Sequence, residues 1–276
     1  MKQFTDKIVV ITGAGSGIGR ALALEFGKLG AKLALNDYEQ AGLEETLALL
    51  SAIGQQEVLF SVFDVSVKED MLAFAEKVQT TWGNAHVIIN NAGIPGAAEP
   101  GYLIEESTYR RVMDINFFGV LNGCQSFLPQ LVANNEGAVV NISSVFGLIG
   151  TPSNTDYCAS KFAVRGYTEA LAVEFQASPI SIHCVHPGGI KTNIAKGVNS
   201  EFDEQFLKTD PHDLARFIIK GIQRQQPRLV YGFGSRKARF GATFLPQKML
   251  HRSLWKLLQK TIDMANYRTF LKGIIK

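Results

Sequence analysis

The chain has 276 residues, 46% apolar and 19% charged, with 28 Lys plus Arg against 25 Asp plus Glu and a net charge of +3. That composition excludes a disordered chain, which needs low hydrophobicity and high net charge, and the length suits one α/β domain. Only three cysteines, Cys124, Cys158 and Cys184, exclude a disulfide scaffold and point to a reducing compartment.

No apolar run approaches the ~18 residues of a membrane span. Residues 1–7 carry no apolar stretch ahead of a small-residue cleavage site. The sequence therefore predicts a cytoplasmic protein.

Short β-branched and apolar runs alternate along the chain with segments of helical length. The first run, 8–12, leads into Gly13-Ala14-Gly15-Ser16-Gly17-Ile18-Gly19 and a helix over 17–29. Glycines permit a sharp turn and a close backbone approach. A helix start offers free N–H groups to an anion. Alone, such a cluster is no more than a tight turn. Between a first strand and a helix it predicts a dinucleotide site, with Gly13, Ser16, Gly17, Ile18 and Gly19 contributing.

The second run, 32–36, ends at Asn36-Asp37, 18 residues after Gly19. A carboxylate here accepts hydrogen bonds from the adenosine ribose and repels a 2′-phosphate, so Asp37 predicts NAD rather than NADP. Arg20 is the feature that favours NADP; we read it as a solvent-facing helix residue.

Helices over 39–53 and 67–82 flank the third run, 58–63, and the fourth is 87–90. Helices over 105–134, 154–177 and 211–225 precede the fifth, sixth and seventh runs, 138–143, 180–185 and 229–231. This alternation predicts a doubly wound, mostly parallel seven-stranded sheet of Rossmann type, with helices on both faces. Ligands of such sheets bind beyond the carboxyl ends of the strands.

Two segments fall there: Asn141-Ile142-Ser143-Ser144 at a strand end, and Tyr157-Cys158-Ala159-Ser160-Lys161 opening a helix. Tyr157 and Lys161 stand at i and i+4, on one helical face. A free phenol is a poor base at neutral pH, and a nearby ammonium favours phenolate. The pair can move a proton to or from a substrate hydroxyl, while the Ser144 hydroxyl holds the substrate oxygen.

Together with Asn90-Asn91-Ala92-Gly93, Asn116 and Pro187-Gly188, these motifs resemble the short-chain dehydrogenase/reductase superfamily over residues from about 5 to 232. The resemblance implies that Tyr157 is the general acid/base and that Lys161 binds the nicotinamide ribose and lowers the tyrosine pKa. It implies that Ser144 orients the substrate, with Ser143 as its structural neighbour, and that Asn116 holds a water chain from Lys161 to solvent. Asp64-Val65 would contact the adenine, and Asn91 and Gly93 would line the cofactor cleft. Ile190 and Thr192, after Pro187-Gly188-Gly189, would contact the carboxamide. A homodimer or homotetramer is also implied, with the helices over 105–134 and 154–177 as interfaces. Where such proteins often carry Asp before the fourth strand, this chain has Asn84-Ala85-His86. His86 reads as a strand-edge residue, and either His183 or His186 as packed or hydrogen-bonded. No His or Cys set has metal-ligand spacing, so no metal is expected.

The segments expected to form the substrate pocket, 94–98, 145–149 and 194–206, are mostly apolar and predict a lipophilic alcohol or ketone. Beyond the seventh run, residues 236–276 hold ten Lys/Arg and one Asp, a charge of +9 that leaves −6 for the body. Leu250, Leu254, Leu257/Leu258 and Ile262 recur at helical spacing among Lys248, Arg252, Lys256 and Lys260, a basic amphipathic helix. It either packs on its own domain or a second subunit, covers the substrate cleft, or lies on an anionic membrane. No nucleic-acid module accompanies it. The sequence thus predicts an NAD-dependent alcohol dehydrogenase or carbonyl reductase. Its rivals are an NADPH-dependent 3-oxoacyl or ketone reductase, a catalytically silent dinucleotide-binding protein, and a sugar-nucleotide epimerase.

Overall fold

The computed structural model describes residues 1–192, 206–260, 262 and 264–270. Seven strands, β1 (Ile8–Thr12), β2 (Lys32–Asp37), β3 (Val58–Val62), β4 (Val87–Asn90), β5 (Gly137–Ile142), β6 (Ile180–Pro187) and β7 (Arg228–Tyr231), form one sheet in the order β3-β2-β1-β4-β5-β6-β7. Every pairing is parallel. The sequence pattern predicted a mostly parallel sheet, and no strand is reversed.

The apolar content of β1 shows why. All five of its residues are buried, as a central strand covered on both faces requires. Val9 and Ile11 join one core with α1 (Gly17–Gly27), α2 (Gln40–Ala52) and α7 (Pro211–Gln223). Ile8 and Val10 join the other, with α3 (Lys68–Trp82), α5 (Gly119–Ala133) and α6 (Thr155–Glu174). Strand order reverses between β1 and β4, which opens a crevice at their carboxyl ends.

The helix expected over 105–134 is continuous but not uniform. Helix α4 (Glu106–Met113) passes into a π-helical turn, Asp114–Phe118, before α5 begins. A π turn accommodates one extra residue and is often found at functional sites. The basic C-terminal segment forms α8 (Ser235–Phe244), α9 (Gln247–Leu258) and α10 (Met264–Phe270). No helix among the described residues is long and apolar enough to cross a membrane.

Candidate active site

The crevice is a cleft of about 1960 Å³ running from Asp37 and Asp64, past the glycine turn, to Ser144 and Tyr157. Its floor is backbone. Gly13 has φ +66, and a Cβ there would lie 2.8 Å from Ala92 Cα. A Cβ on Gly19 would overlap the Gly13 carbonyl oxygen. Ser16 gives α1 no side-chain cap, and the first turn has no acid, so its N–H groups suit an anion. Asn91 Nδ2 donates to the carbonyls of Thr12 (2.9 Å) and Gly13 (3.0 Å), lacing β4 to β1. Beyond β6, Gly188 N donates to Tyr231 O at 2.7 Å. Ile190 is buried in the cleft wall. Thr192 rests on the glycine turn, its Cγ2 3.0 Å from where a Gly17 Cβ would stand.

At the far end, Asp37 accepts the N–H groups of Gly15 (2.7 Å) and Glu39 (3.0 Å). Arg20 departs from its expected place in solvent. Its guanidinium donates to the carbonyls of Gly15 and Gly42 and to Thr46 Oγ1, and pairs with Glu45 at 2.7 Å. It fastens the glycine turn to α2, because those acceptors surround it more closely than water would. Partial burial pushes the Asp64 carboxyl up, but hydrogen bonds from Ser66 and Arg111 outweigh this and hold it below the usual carboxylate range. Val65, beside it, is buried. A cradle with no room for side chains, an uncapped helix start and a carboxylate at the adenosine end fit a dinucleotide.

Tyr157 and Lys161 project from the first turns of α6. Lys161 is buried; its Nζ donates to Ile142 O at 3.1 Å and lies 5.6 Å from the centre of the Tyr157 ring. Gly93 makes room for it, since a Cβ there would stand 3.3 Å from Nζ. Burial draws the ammonium down to about 8. Burial likewise pushes the Tyr157 phenol up to about 12, against a hydrogen bond from Ser144. The sequence predicted a phenol lowered by the ammonium. In this structure desolvation wins, and Nζ is engaged by the Ile142 carbonyl, 5.6 Å from the ring centre.

Ser144 sits in extended backbone ahead of a 3-10 turn, Val145–Gly147, and its Oγ accepts Phe146 N at 3.1 Å. Ser143 Oγ donates instead to Lys161 O at 2.8 Å, a structural bond. His186 Nδ1 lies 2.9 Å from Ser144 O, so that nitrogen carries the proton. Burial pulls His186 down to about 4, which keeps it neutral. His183 bonds Gln226 O and Ser181 Oγ, and His86 Nδ1 accepts Ile8 N. Both histidines at the end of β6 are therefore engaged, where one was expected.

The π turn points Asn116 inward. Its Oδ1 accepts Ile94 N at 2.8 Å, and its Nδ2 donates to Ile94 O and Ser160 Oγ. The amide thus clamps the loop after β4 against α6.

Sequence reasoning missed Asp156. Its buried carboxylate accepts Ala97 N and Tyr157 N, both at 2.8 Å, tying the same loop to the start of α6. A Cβ on Gly96 would collide with it. The available signal was a carboxylate directly before Tyr157, in the first turn of a helix.

The substrate end is walled by Ile94, Phe146 and Ile149 and, from the C-terminal segment, by Leu250 and Leu254 of α9 and Ile262 beyond it. The leucine stripe therefore faces the cleft. Helix α10 joins in, where Tyr267 Oη lies 3.1 Å from Ser153 N and Oγ. Of the expected pocket segment 194–206, residues 194–205 lie outside the described residues; Phe206 lines the cleft.

A doubly wound sheet whose switch point carries this cradle, with a Tyr-x-x-x-Lys helix alongside, defines the nicotinamide-dependent oxidoreductases. Residues 7–203 match the family model described as short chain dehydrogenase, and the chain belongs to that family. It is 42% identical over 248 residues to SadH of Mycobacterium tuberculosis, a protein named only as an oxidoreductase, covering 84% of this chain and 88% of that one. It is 37% identical over 242 residues to the mouse (Mus musculus) epidermal retinol dehydrogenase 2, covering 83% and 77%. Among solved structures, a short-chain dehydrogenase/reductase from Burkholderia phymatum in complex with NAD superposes with a TM-score of 0.79 at 27% identity, over 94% of this chain and 97% of that one. The chain is an oxidoreductase that uses a nicotinamide dinucleotide.

Proposed function

We propose that this protein interconverts a lipophilic secondary or long-chain alcohol and its carbonyl, using NAD. The observation that carries the proposal is one cleft with two unlike ends. Asp37 and the glycine turn stand at one, and Tyr157 and Ser144 at the other, under apolar side chains from three separate stretches of chain. The retinol dehydrogenase among the relatives points to the same substrate class. NAD is favoured over NADP because Asp37 would repel a 2′-phosphate, while Arg20, tied down by Glu45 and Thr46, is not free to meet one.

When bound, the dinucleotide supplies the hydride acceptor or donor. Ser144 Oγ hydrogen-bonds the substrate oxygen. Tyr157 Oη takes the hydroxyl proton in oxidation and returns it in reduction. Lys161, one helical turn on from Tyr157, would hold the nicotinamide ribose, and Asn116 and Asp156 hold the pocket loop in register with all three.

The test is reduction of NAD⁺ and of NADP⁺, followed by nicotinamide absorbance, with secondary alcohols of rising chain length. Activity with NAD⁺ that increases with chain length is expected. Turnover restricted to small charged hydroxy acids, or to NADP⁺, would overturn the reading.

A further inference from the structure

The residues of α8 and α9 that turn away from the cleft are not those of an ordinary surface helix. Phe240 is 59% exposed, Phe244 71% and Met249 54%. The two phenyl rings sit together, with centroids 5.2 Å apart. An amphipathic helix normally turns its apolar side chains toward the protein. Here α9 is apolar toward the cleft, through Leu250 and Leu254, and both α8 and α9 present apolar side chains to water as well.

Charge surrounds this outer surface. Residues 232–260 contain seven Lys and Arg and no Asp or Glu; Arg236 and Lys237 line the cleft and the other five do not, and the segment holds no acid to neutralise them. Paired aromatic side chains on the same two helices as Arg239, Lys248 and Arg252 combine the two attractions of an interfacial helix: apolar groups for the acyl boundary and cations for anionic headgroups.

We propose that the outward faces of α8 and α9 dock on an anionic lipid bilayer. A second copy of this chain is a poorer occupant. A two-fold contact would bring the basic segments face to face, and like charges across an interface repel. Docking stands independently of the substrate. Only its use, delivery of a lipophilic alcohol from the bilayer, rests on the function proposed above.

The experiment is co-sedimentation of the full chain with vesicles of phosphatidylcholine alone, or with roughly a third phosphatidylglycerol. The anionic lipid is expected to raise the bound fraction by about tenfold or more, and added salt to lower it. Phe240→Ser/Phe244→Ser and Arg239→Glu/Lys248→Glu/Arg252→Glu should each cost about tenfold in partitioning while leaving dinucleotide affinity unchanged, since none of these side chains lines the cleft. Three results would overturn the proposal. One is wild-type protein that ignores both vesicles. Another is phenylalanine variants that bind as well as wild type, or bind less only because a larger assembly dissociates in gel filtration. The third is a DNA duplex that competes fully with the vesicles and is held equally by the phenylalanine variants.

Discussion

The two ends of the cleft are built from different materials. At the cofactor end, the contacts that matter are between backbones. Gly13, Gly17 and Gly19 stand where a methyl group would meet Ala92, Thr192 or a carbonyl, and Asn91 and Arg20 fasten the turn to its neighbours. At the substrate end, apolar side chains from stretches far apart in the chain meet across a gap. Backbone contacts cannot be exchanged one residue at a time, whereas a leucine can become a valine at small cost. The first kind of construction suits a dinucleotide that does not vary, and the second leaves the other end free to change.

The sharpest way to test that division is at the reacting group itself. Tyr157→Phe keeps the ring and removes the proposed proton donor, so kcat should fall by about a thousandfold or more while dinucleotide affinity, measured by fluorescence titration, stays near wild type. A matched pair of glycine substitutions probes the two constructions directly. Gly19→Ala drives a methyl into the Gly13 carbonyl, and dinucleotide affinity should fall at least about thirtyfold, with a lower Tm. Gly241→Ala meets only the tip of Leu250, 3.0 Å away, and should leave that affinity alone. Equal losses from the two would erase the distinction.

Asp156 lies on the border between the ends. Asp156→Ala strands the N–H groups of Ala97 and Tyr157, and KM for the alcohol should rise about tenfold, more than kcat falls. Asp156→Asn should recover part of the loss, which a merely unfolded variant would not. On the substrate side, Leu254→Ala should cost about tenfold in kcat/KM for long-chain alcohols and little for short ones.

The smallest effect concerns acid. His186 is held near pKa 4 against an ordinary value of 6.5, so it binds a proton in the unfolded chain before it does in the folded one. The stability it contributes is complete above pH 6.5 and is lost as pH falls toward 4. Tm should decline over that window, and His186→Gln should flatten the decline.

Much of this was legible in the sequence, and the reason is the same division. The sheet, the glycine turn, Asp37, Ser144 and the Tyr157–Lys161 pair all depend on residues close together in the chain, where spacing reports geometry. Three of the four partners of Arg20 come from 22 to 26 residues away, and those of Asp156 include Ala97, 59 residues away; no local pattern encodes either. The leucines of 250–258 were readable as an amphipathic stripe, but spacing alone cannot say which surface a stripe meets. The raised Tyr157 phenol was illegible for another reason. Opposing effects of burial and charge are decided by where Nζ points, and a sequence does not state that.

The π turn at Asp114–Phe118 is, in effect, a phase adjuster. Helix α4 must keep one side chain set against α6, and α5 must keep another against β4 and β5. One residue of surplus backbone rotates everything after it by about 100° relative to a regular helix. Deleting a single residue there would yield a more regular helix and a worse protein. Either Asn116 would leave its loop, or one of the two flanking faces would be turned away from its partner.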